Sequence, residues 1–242
     1  MTTENTASPE QDAIPVLGLP RLCSQFMSPS ENNWNIVLQQ VGKKLRKNGF
    51  GVSIAQGLED AAKHVMETLL PESAAKVVSF GGSMSVRESG LLEAMKKKSE
   101  LNVMDTFDMS IGLPAMMELR RQALLCDLFI CSANALTRDG ELILVDAFGN
   151  RTAAVQFGPR KVVLLVGRNK ICATLEEGLD RIKGLAAPAN VQRLGKKTPC
   201  AKTGYCMDCN SPDRICSVWT VVKRCLPKER IHVVLINENA GY

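Results

Sequence analysis

Short apolar runs alternate with helical segments along most of this chain, and this alternation limits the possible folds more than any other feature of the sequence. Strands that are buried on both faces read as continuous apolar runs, and crossover helices are what bury them in a parallel sheet. The sequence therefore predicts an α/β fold with a mainly parallel sheet and flanking helices. The predicted strands are residues 76–80, 101–104, 128–132, 161–166 and 231–236.

Apolar residues at helical spacing predict the helices that join these strands. The first two helices are predicted at residues 34–47 and 58–69, and Pro71 is expected to end the second one. Three more helices are predicted at residues 85–98, 113–125 and 175–184.

One stretch predicts a β-hairpin instead of a crossover. Residues 141–146 and 153–157 are apolar runs that follow the turn pair Asp139-Gly140 and close around Gly149-Asn150. The sequence therefore predicts an antiparallel β-hairpin excursion on the mainly parallel sheet.

The composition is that of one globular domain with an added arm. Of the 242 residues, 45% are hydrophobic and 23% are charged, and a chain of this length can bury one sizeable core. Residues 1–30 are rich in Thr, Ser, Pro, Glu and Gln, so they are predicted to form a flexible arm outside the fold. Residues 31–242 are predicted to form the α/β domain.

Charge and hydropathy exclude some classes of partner. The formal net charge of +5 is mild and only 5% of the residues are aromatic, so a nucleic-acid surface is not expected. No apolar stretch approaches the roughly eighteen residues that a membrane span needs, and the N-terminus does not resemble a secretory signal. We expect a cytoplasmic protein with no membrane span.

The loop that follows the predicted strand 76–80 is a candidate ligand site. It reads Gly81-Gly82-Ser83-Met84-Ser85 and leads into a helix. Ligands of open α/β sheets bind at the carboxyl ends of the strands, and glycines let the backbone approach an anion such as a carboxylate or phosphate. Alternatively, Ser85 and Glu88 form a capping box that only starts the helix.

Three other loops add candidate ligand-binding residues. Asn134 follows the strand 128–132, and Asn150 and Arg151 lie at the tip of the predicted hairpin. The segment Gly167-Arg168-Asn169-Lys170 follows the strand 161–166, and its Gly167, Asn169 and Lys170 are candidates to hold a second anionic group. Solvated loops are the alternative for these segments, because exposed cations are common. The sequence points to no catalytic base.

Four of the nine cysteines are close together near the C-terminus and predict a metal site. Cys206 and Cys209 form a CxxC pair, and Cys200 and Cys216 flank it at loop distances within residues 198–217. Four thiolates suit zinc or an iron–sulfur cluster, whereas a disulfide framework is not expected in the reducing cytosol. A metal-free cysteine-rich loop is the third possibility. The sequence does not discriminate among the three.

Together these segments resemble the LUD-domain family of lactate-utilisation proteins, and the resemblance extends from Asn33 to Tyr242. The residues that carry it are Gly81 to Ser85, Ser132 to Gly140, Asp146, Gly149-Asn150-Arg151, Phe157 to Lys161, Gly167 to Lys170, the cysteine segment and Arg230-Ile231-His232-Val233. The resemblance implies a Rossmann-like sheet of the sugar-phosphate isomerase and CoA-transferase class.

The resemblance also implies a function. It indicates a component that oxidises L-lactate to pyruvate with iron–sulfur partner subunits and that contains or contacts a cluster, of the 4Fe–4S type, or zinc. Two alternatives stay open at this point. One is an isomerase-like or acyl-transferase-like enzyme that acts on a phosphorylated or CoA-linked ligand, with a structural zinc. The other is an interaction module without chemistry.

Overall fold

The computed structural model describes residues 14–17, 28–108 and 110–242. The strands are β1 (Val16–Leu17), β2 (Gly51–Ala55), β3 (Val77–Phe80), β4 (Asn102–Met104), β5 (Leu128–Cys131), β6 (Ala135–Thr137), β7 (Leu142–Asp146), β8 (Lys161–Gly167), β9 (Ile171–Cys172), β10 (Val218–Val222) and β11 (Ile231–Ile236). The α-helices are α1 (Pro29–Lys47), α2 (Leu58–His64), α3 (Leu70–Ser73), α4 (Met84–Glu88), α5 (Leu91–Lys96), α6 (Leu113–Gln122), α7 (Asn150–Gln156), α8 (Leu175–Arg181), α9 (Ala187–Arg193) and α10 (Cys200–Thr203). None of these helices is long and apolar enough to cross a membrane.

The larger of two sheets is parallel throughout and has the order β1-β2-β11-β8-β5-β3-β4. Alternate residues of its central strands face opposite sides: Val233 of β11 packs in one apolar cluster and Val234 in the other. Helices cover both faces, which explains the continuous apolar runs in the sequence. The predicted α/β fold with a mainly parallel sheet and flanking helices is confirmed, and so are all five predicted strands.

The predicted hairpin between residues 141–146 and 153–157 is wrong in its second arm. Residues 153–156 belong to α7, and β7 pairs antiparallel with β6 and with β10 in a second sheet of order β10-β7-β6-β9. Gly149 adopts a left-handed φ of 85° before α7, and Asp146 Oδ2 accepts the N–H of Thr152 at 2.8 Å. The conformation of Gly149 and this hydrogen bond start a helix at residues for which the apolar pattern predicted a strand. Antiparallel pairing is therefore present at β7, but its partners are β6 and β10 and not residues 153–157.

Three predicted helices extend further than the sequence indicated, since α1 begins at Pro29 instead of residue 34 and two others continue past their predicted ends, and a fourth is divided. Pro71 does not end the helix of α2, because the π-helical segment Val65–Leu69 joins α2 to α3, and proline is tolerated in the first turn that follows. The π-helical segment Ile182–Ala186 joins α8 to α9 in the same way, with Pro188 in the first turn. The helix predicted at residues 85–98 is divided into α4 and α5 by Gly90, whose φ is 70°.

Two strands of the large sheet were not predicted. Strand β2 lies between β1 and β11 and is fully buried, although Gly51 and Ser53 weaken its strand pattern. Within the predicted arm, Ile14 is buried, β1 pairs with β2, and Ser28 caps α1, so residues 14–17 and 28–30 belong to the fold. Residues 1–13 and 18–27 lie outside the described residues, and the flexible arm remains a prediction for them.

Candidate functional site

The loops that follow β3, β5, β8 and β11 meet at one edge of the large sheet. These four strands are neighbours and parallel, so their carboxyl ends lie side by side. The arrangement brings together the predicted residues Gly81 to Ser85, Asn134 and Gly167 to Lys170, which are far apart in the sequence. This is the edge at which open α/β sheets bind their ligands.

Lys170 is the buried charge at the centre of this edge. Its side-chain nitrogen lies 2.9 Å from Ser85 Oγ and 2.9 Å from Ser132 Oγ, and the residue is 3% exposed. Burial, and after it the neighbouring cations Arg181 and Arg151, lower the pKa of the Lys170 amine from its ordinary 10.5 to about 7. Lys170 therefore changes its charge near neutral pH, and the solvated loop predicted as an alternative is excluded for this residue.

The two serines direct their own protons away from Lys170. Ser85 Oγ donates to the carbonyl of Ala240 at 2.9 Å, and Ser132 Oγ donates to the carbonyl of Leu165. Their oxygens are thus free to accept from the Lys170 nitrogen. The side chain of Ser132 was not among the predicted site residues, although it follows β5 directly.

The alternative capping box of Ser85 and Glu88 is wrong. Ser83 caps α4 instead, because its Oγ accepts the N–H of Val86 at 3.4 Å. Ser85 is the second residue of α4 and is fully buried against Lys170, and Glu88 accepts the N–H of Gly241 at 3.0 Å. Ser85 therefore belongs to the site and not to the helix cap.

Arg151 stabilises the loops that form the site. It is 7% exposed, forms an ion pair with Asp146 at 3.0 Å, and donates to the carbonyls of Ser132 and Val145 and to Asn134 Oδ1 at 2.6 Å. The predicted residues Arg151 and Asn134 are thus used to join β5, β7 and α7. Asn150, also predicted, is the first residue of α7 and precedes Arg151 in the chain.

The two glycines of the first loop have different roles. A Cβ on Gly81 would lie 2.8 Å from Cys131 Cβ and 2.9 Å from Arg151 Cγ, so close packing requires glycine there. Gly82 is exposed, and among the described atoms none lies within 4 Å of the position its Cβ would take. The backbone at Gly82 is therefore open, and its role in ligand approach stays a prediction.

The segment after β11 covers the site. Asn169 donates to the carbonyl of Gly241 at 2.9 Å and accepts the N–H of Ala240 at 3.1 Å. A Cβ on Gly167 would lie 2.6 Å from the Ala240 nitrogen, so this segment also needs glycine beneath it. The predicted residues Gly167 and Asn169 thus hold the cover above Lys170, and nothing in the local sequence pattern indicated this contact.

Arg181 adds a half-buried cation that sequence reasoning missed. Its Nε donates to the carbonyl of Asn169 at 2.9 Å and its Nη1 to that of Asn134 at 2.7 Å. Its Nη2 is buried and has no hydrogen-bond partner among the described residues. A buried donor without an acceptor costs free energy, so an anion at this position would be stabilised.

The structure brings only some of the four predicted cysteine ligands close together. Cys206 and Cys209 are near enough to Cys216 for their charges to add to the burial that raises its pKa. Arg214 holds this loop by donating to the carbonyls of Cys209 and Cys216. Cys200 is buried, and its sulfur lies 3.2 Å from Thr198 Oγ1.

The chemical type of these ligands fits zinc or an iron–sulfur cluster, since both accept four thiolates. In this conformation, however, no three His, Cys, Asp or Glu side chains of the described residues are placed to hold a metal ion. A cavity of about 280 Å³ lies beside the loop, and Cys206, Arg214 and Trp219 are among the residues that line it. The metal site stays a prediction.

Comparisons with known proteins identify a family and a similar solved structure. A family model described as the LUD domain matches residues 38–236. Among solved structures, a DUF162 family protein from Deinococcus radiodurans matches with 13% sequence identity and a TM-score of 0.46, covering 84% of this chain and 98% of that chain. The comparison with curated proteins found no match.

Proposed function

The chain belongs to the LUD-domain family, which is associated with lactate utilisation, and from this we propose that it is a component of a cytoplasmic L-lactate utilisation system. In this proposal the system oxidises L-lactate to pyruvate with iron–sulfur partner proteins. The chain binds a small carboxylate at the strand ends, beside the loop Gly81-Gly82-Ser83-Met84-Ser85.

The observation that carries the proposal is the closeness of two basic side chains, the buried Lys170 and the half-buried Arg181. Neither forms an ion pair with a carboxylate among the described residues, and Arg181 Nη2 has no acceptor there. Two uncompensated cations near each other are unfavourable in a protein interior. A small carboxylate at this point would offset both charges and accept from the free guanidinium nitrogen.

The surrounding residues supply what a small anionic substrate needs. The backbone at Gly82 is open, and the hydroxyls of Ser85 and Ser132 orient the Lys170 amine. Because its pKa is about 7, the Lys170 amine can hold or release a proton near neutral pH. In this proposal the residues bind and orient the acid and exclude water from it.

The cysteine segment is the proposed link to the iron–sulfur partners. An iron–sulfur cluster carries single electrons, and the lactate oxidation releases two electrons that must be passed on. Support for the cluster comes from the family's association with lactate utilisation and from the proximity of Cys206, Cys209 and Cys216. Zinc is the competing occupant.

Calorimetry on the purified chain tests the ligand class. L-Lactate and pyruvate should bind to the wild type, and Arg181→Gln should weaken binding about tenfold or more by removing a charged donor. Arg121→Gln is the matched control, because the Arg121 side chain is 80% exposed. Binding of only a sugar phosphate or CoA would reject the small-carboxylate proposal and favour the isomerase-like or acyl-transferase-like alternative.

Deletion of the chain in its native host tests the place in lactate utilisation. The deletion strain should no longer grow on L-lactate but should still grow on pyruvate. Reintroduction of the intact sequence should restore growth on L-lactate. Unchanged growth on L-lactate would contradict the proposal. Co-purification of iron–sulfur proteins with the tagged chain then tests the proposed partners.

A further inference from the structure

The hydrogen bonds around Lys170 match a neutral amine. A neutral amine has two N–H groups and one lone pair. Ser85 Oγ and Ser132 Oγ accept from the nitrogen, and both hydroxyl protons are used by backbone carbonyls. An ammonium would add a third N–H, for which the described residues show no acceptor. The lone pair of the neutral amine is therefore left free.

The charged and titratable groups that face Lys170 come from four elements. Arg181 on α8 and Arg151 on α7 lower the pKa of the amine, while Glu88 on α4 and Cys131 on β5 raise it. Burial is the largest effect, and the net result is a pKa of about 7. About half of the molecules then carry a neutral, nucleophilic amine at neutral pH.

The second observation concerns the ligand. Arg181 lies close enough to act on the charge of Lys170, and its Nη2 is a buried donor without a partner among the described residues. A carboxylate is the acceptor that a guanidinium binds best. A nucleophilic amine next to a carboxylate-binding donor suits one class of ligand, the small acids that carry a carbonyl group beside the carboxylate.

We propose that Lys170 is a carbonyl-reactive amine that forms a reversible imine with a small 2-oxo acid, whose carboxylate is bound by Arg181. The inference goes beyond the proposed function, because non-covalent binding of lactate does not require it and no partner protein takes part. A chain that fails to support growth on L-lactate can still form this imine.

The bond changes are those of imine formation. The lone pair of the Lys170 nitrogen attacks the carbonyl carbon, a proton passes from nitrogen to oxygen, and a carbinolamine results. Loss of water from the carbinolamine forms the carbon–nitrogen double bond, and addition of water reverses it. Ser85 Oγ and Ser132 Oγ, both 2.9 Å from the nitrogen, are placed to move the proton.

Access to the amine depends on the segment after β11. Ala240 is fully buried over Ser85, and Asn169 holds Ala240 and Gly241 with two hydrogen bonds. Because Lys170 is only 3% exposed, the 2-oxo acid must displace this segment to reach it. Asn169→Ala removes both hydrogen bonds, so it should speed the reaction with Lys170 about tenfold.

Reductive trapping tests the inference on the full chain. The protein is incubated with pyruvate and sodium cyanoborohydride at neutral pH, and the modified lysine is located by mass spectrometry of peptides. We expect one dominant adduct on Lys170, which is absent in Lys170→Arg and retained in Lys161→Arg, a variant at the opposite end of β8. Thermal melts establish that each variant is folded.

A carbonyl compound without a carboxylate separates imine formation by Lys170 from carboxylate binding by Arg181. Arg181→Gln should slow trapping of pyruvate about tenfold and leave trapping of acetaldehyde nearly unchanged, because only pyruvate has a carboxylate to bind. Equal modification of many surface lysines with none preferred at position 170, or an unmodified Lys170 in both wild type and Asn169→Ala, would overturn the inference.

Discussion

The side-chain nitrogen of Lys170 lies 2.9 Å from the hydroxyl oxygen of Ser132, although 38 residues separate them in the chain. Parallel pairing of β5 with β8 makes this contact, because it brings the carboxyl ends of the two strands to the same edge of the sheet. The lysine is held there without a carboxylate partner among the described residues, so the fold bears the cost of burying its charge.

Lys170→Met should therefore stabilise the protein, and most of all at pH 7 and below. The amine has a pKa of about 7 when folded and about 10.5 when unfolded, so below pH 7 both states are protonated and the folded state bears the full cost. At about 1.4 kcal/mol per pKa unit the gain approaches 5 kcal/mol as an upper bound, and it should fall towards zero as pH rises to about 10.5.

Urea unfolding at several pH values measures this gain. Lys63→Met is the control, because Lys63 is exposed on α2 and should change stability little at any pH. A difference between Lys170→Met and the wild type that stays constant from about pH 6 to about pH 10 would show that charge burial is not the cause.

Asp146→Ala should destabilise the protein by about 3 to 5 kcal/mol, because it leaves the buried Arg151 cation without its partner. Asp139→Ala removes an ion pair to Lys44 whose side chains are 75% and 55% exposed, and it should cost less than about 1 kcal/mol. Urea denaturation compares the two. Equal losses would mean that the Arg151 pair does not support the site as described.

Gly81→Ala and Gly82→Ala should differ although they are neighbours. The added methyl at position 81 would overlap Cys131 and Arg151, at a cost of about 1 to 3 kcal/mol, whereas the one at position 82 meets open space and should cost about 0.5 kcal/mol or less. Gly82→Val should still block ligand binding if the acid approaches this backbone. Melting temperatures and calorimetry give the two readouts.

His232→Gln should make the protein less sensitive to acid. Burial, with the nearby charges of His64, Lys161 and Arg46, lowers the pKa of His232 from 6.5 to about 3, and Ser53 Oγ lies 3.1 Å from its ring nitrogen. Between these values the unfolded state binds the proton and the folded state does not, so stability falls as pH decreases from 6.5. Wild type should lose about 1.4 kcal/mol more per pH unit than the variant. Parallel slopes would contradict this.

Cys206→Ser should lower the metal content of anaerobically purified protein and loosen the segment around Cys209 and Cys216, if these thiols share a metal. Cys172→Ser is the control, since Cys172 ends β9, is outside the predicted ligand set and should have only a packing effect. Iron with sulfide, zinc, or no metal in wild type would identify a cluster, a structural zinc site or a metal-free loop.

Five strands of the large sheet could be predicted from the sequence, because each one is marked by a short apolar run of its own. The central strands β5, β8 and β11 are apolar on both faces, so they could be recognised one at a time. The rule that parallel strands end at one edge then placed the loops of Gly81 and Lys170 together. Strand β2 was not predicted, because Gly51 and Ser53 weaken its apolar strand pattern. Helix α7 was not predicted either, because Ala153 to Val155 suit a strand as well as a helix.

Only the tertiary structure decided how deeply the charged side chains at that edge are buried and which groups surround them. The sequence left Gly167-Arg168-Asn169-Lys170 as either an anion site or a solvated loop, whereas in the structure Lys170 is buried against Ser85 and Ser132, and Ser85 donates to Ala240. The pKa of an amine depends on its burial and on charges within a few ångströms, and those neighbours come from residues up to 85 positions away. No pattern along the chain contains that information, because distance in space is set by strand pairing and not by spacing in the sequence.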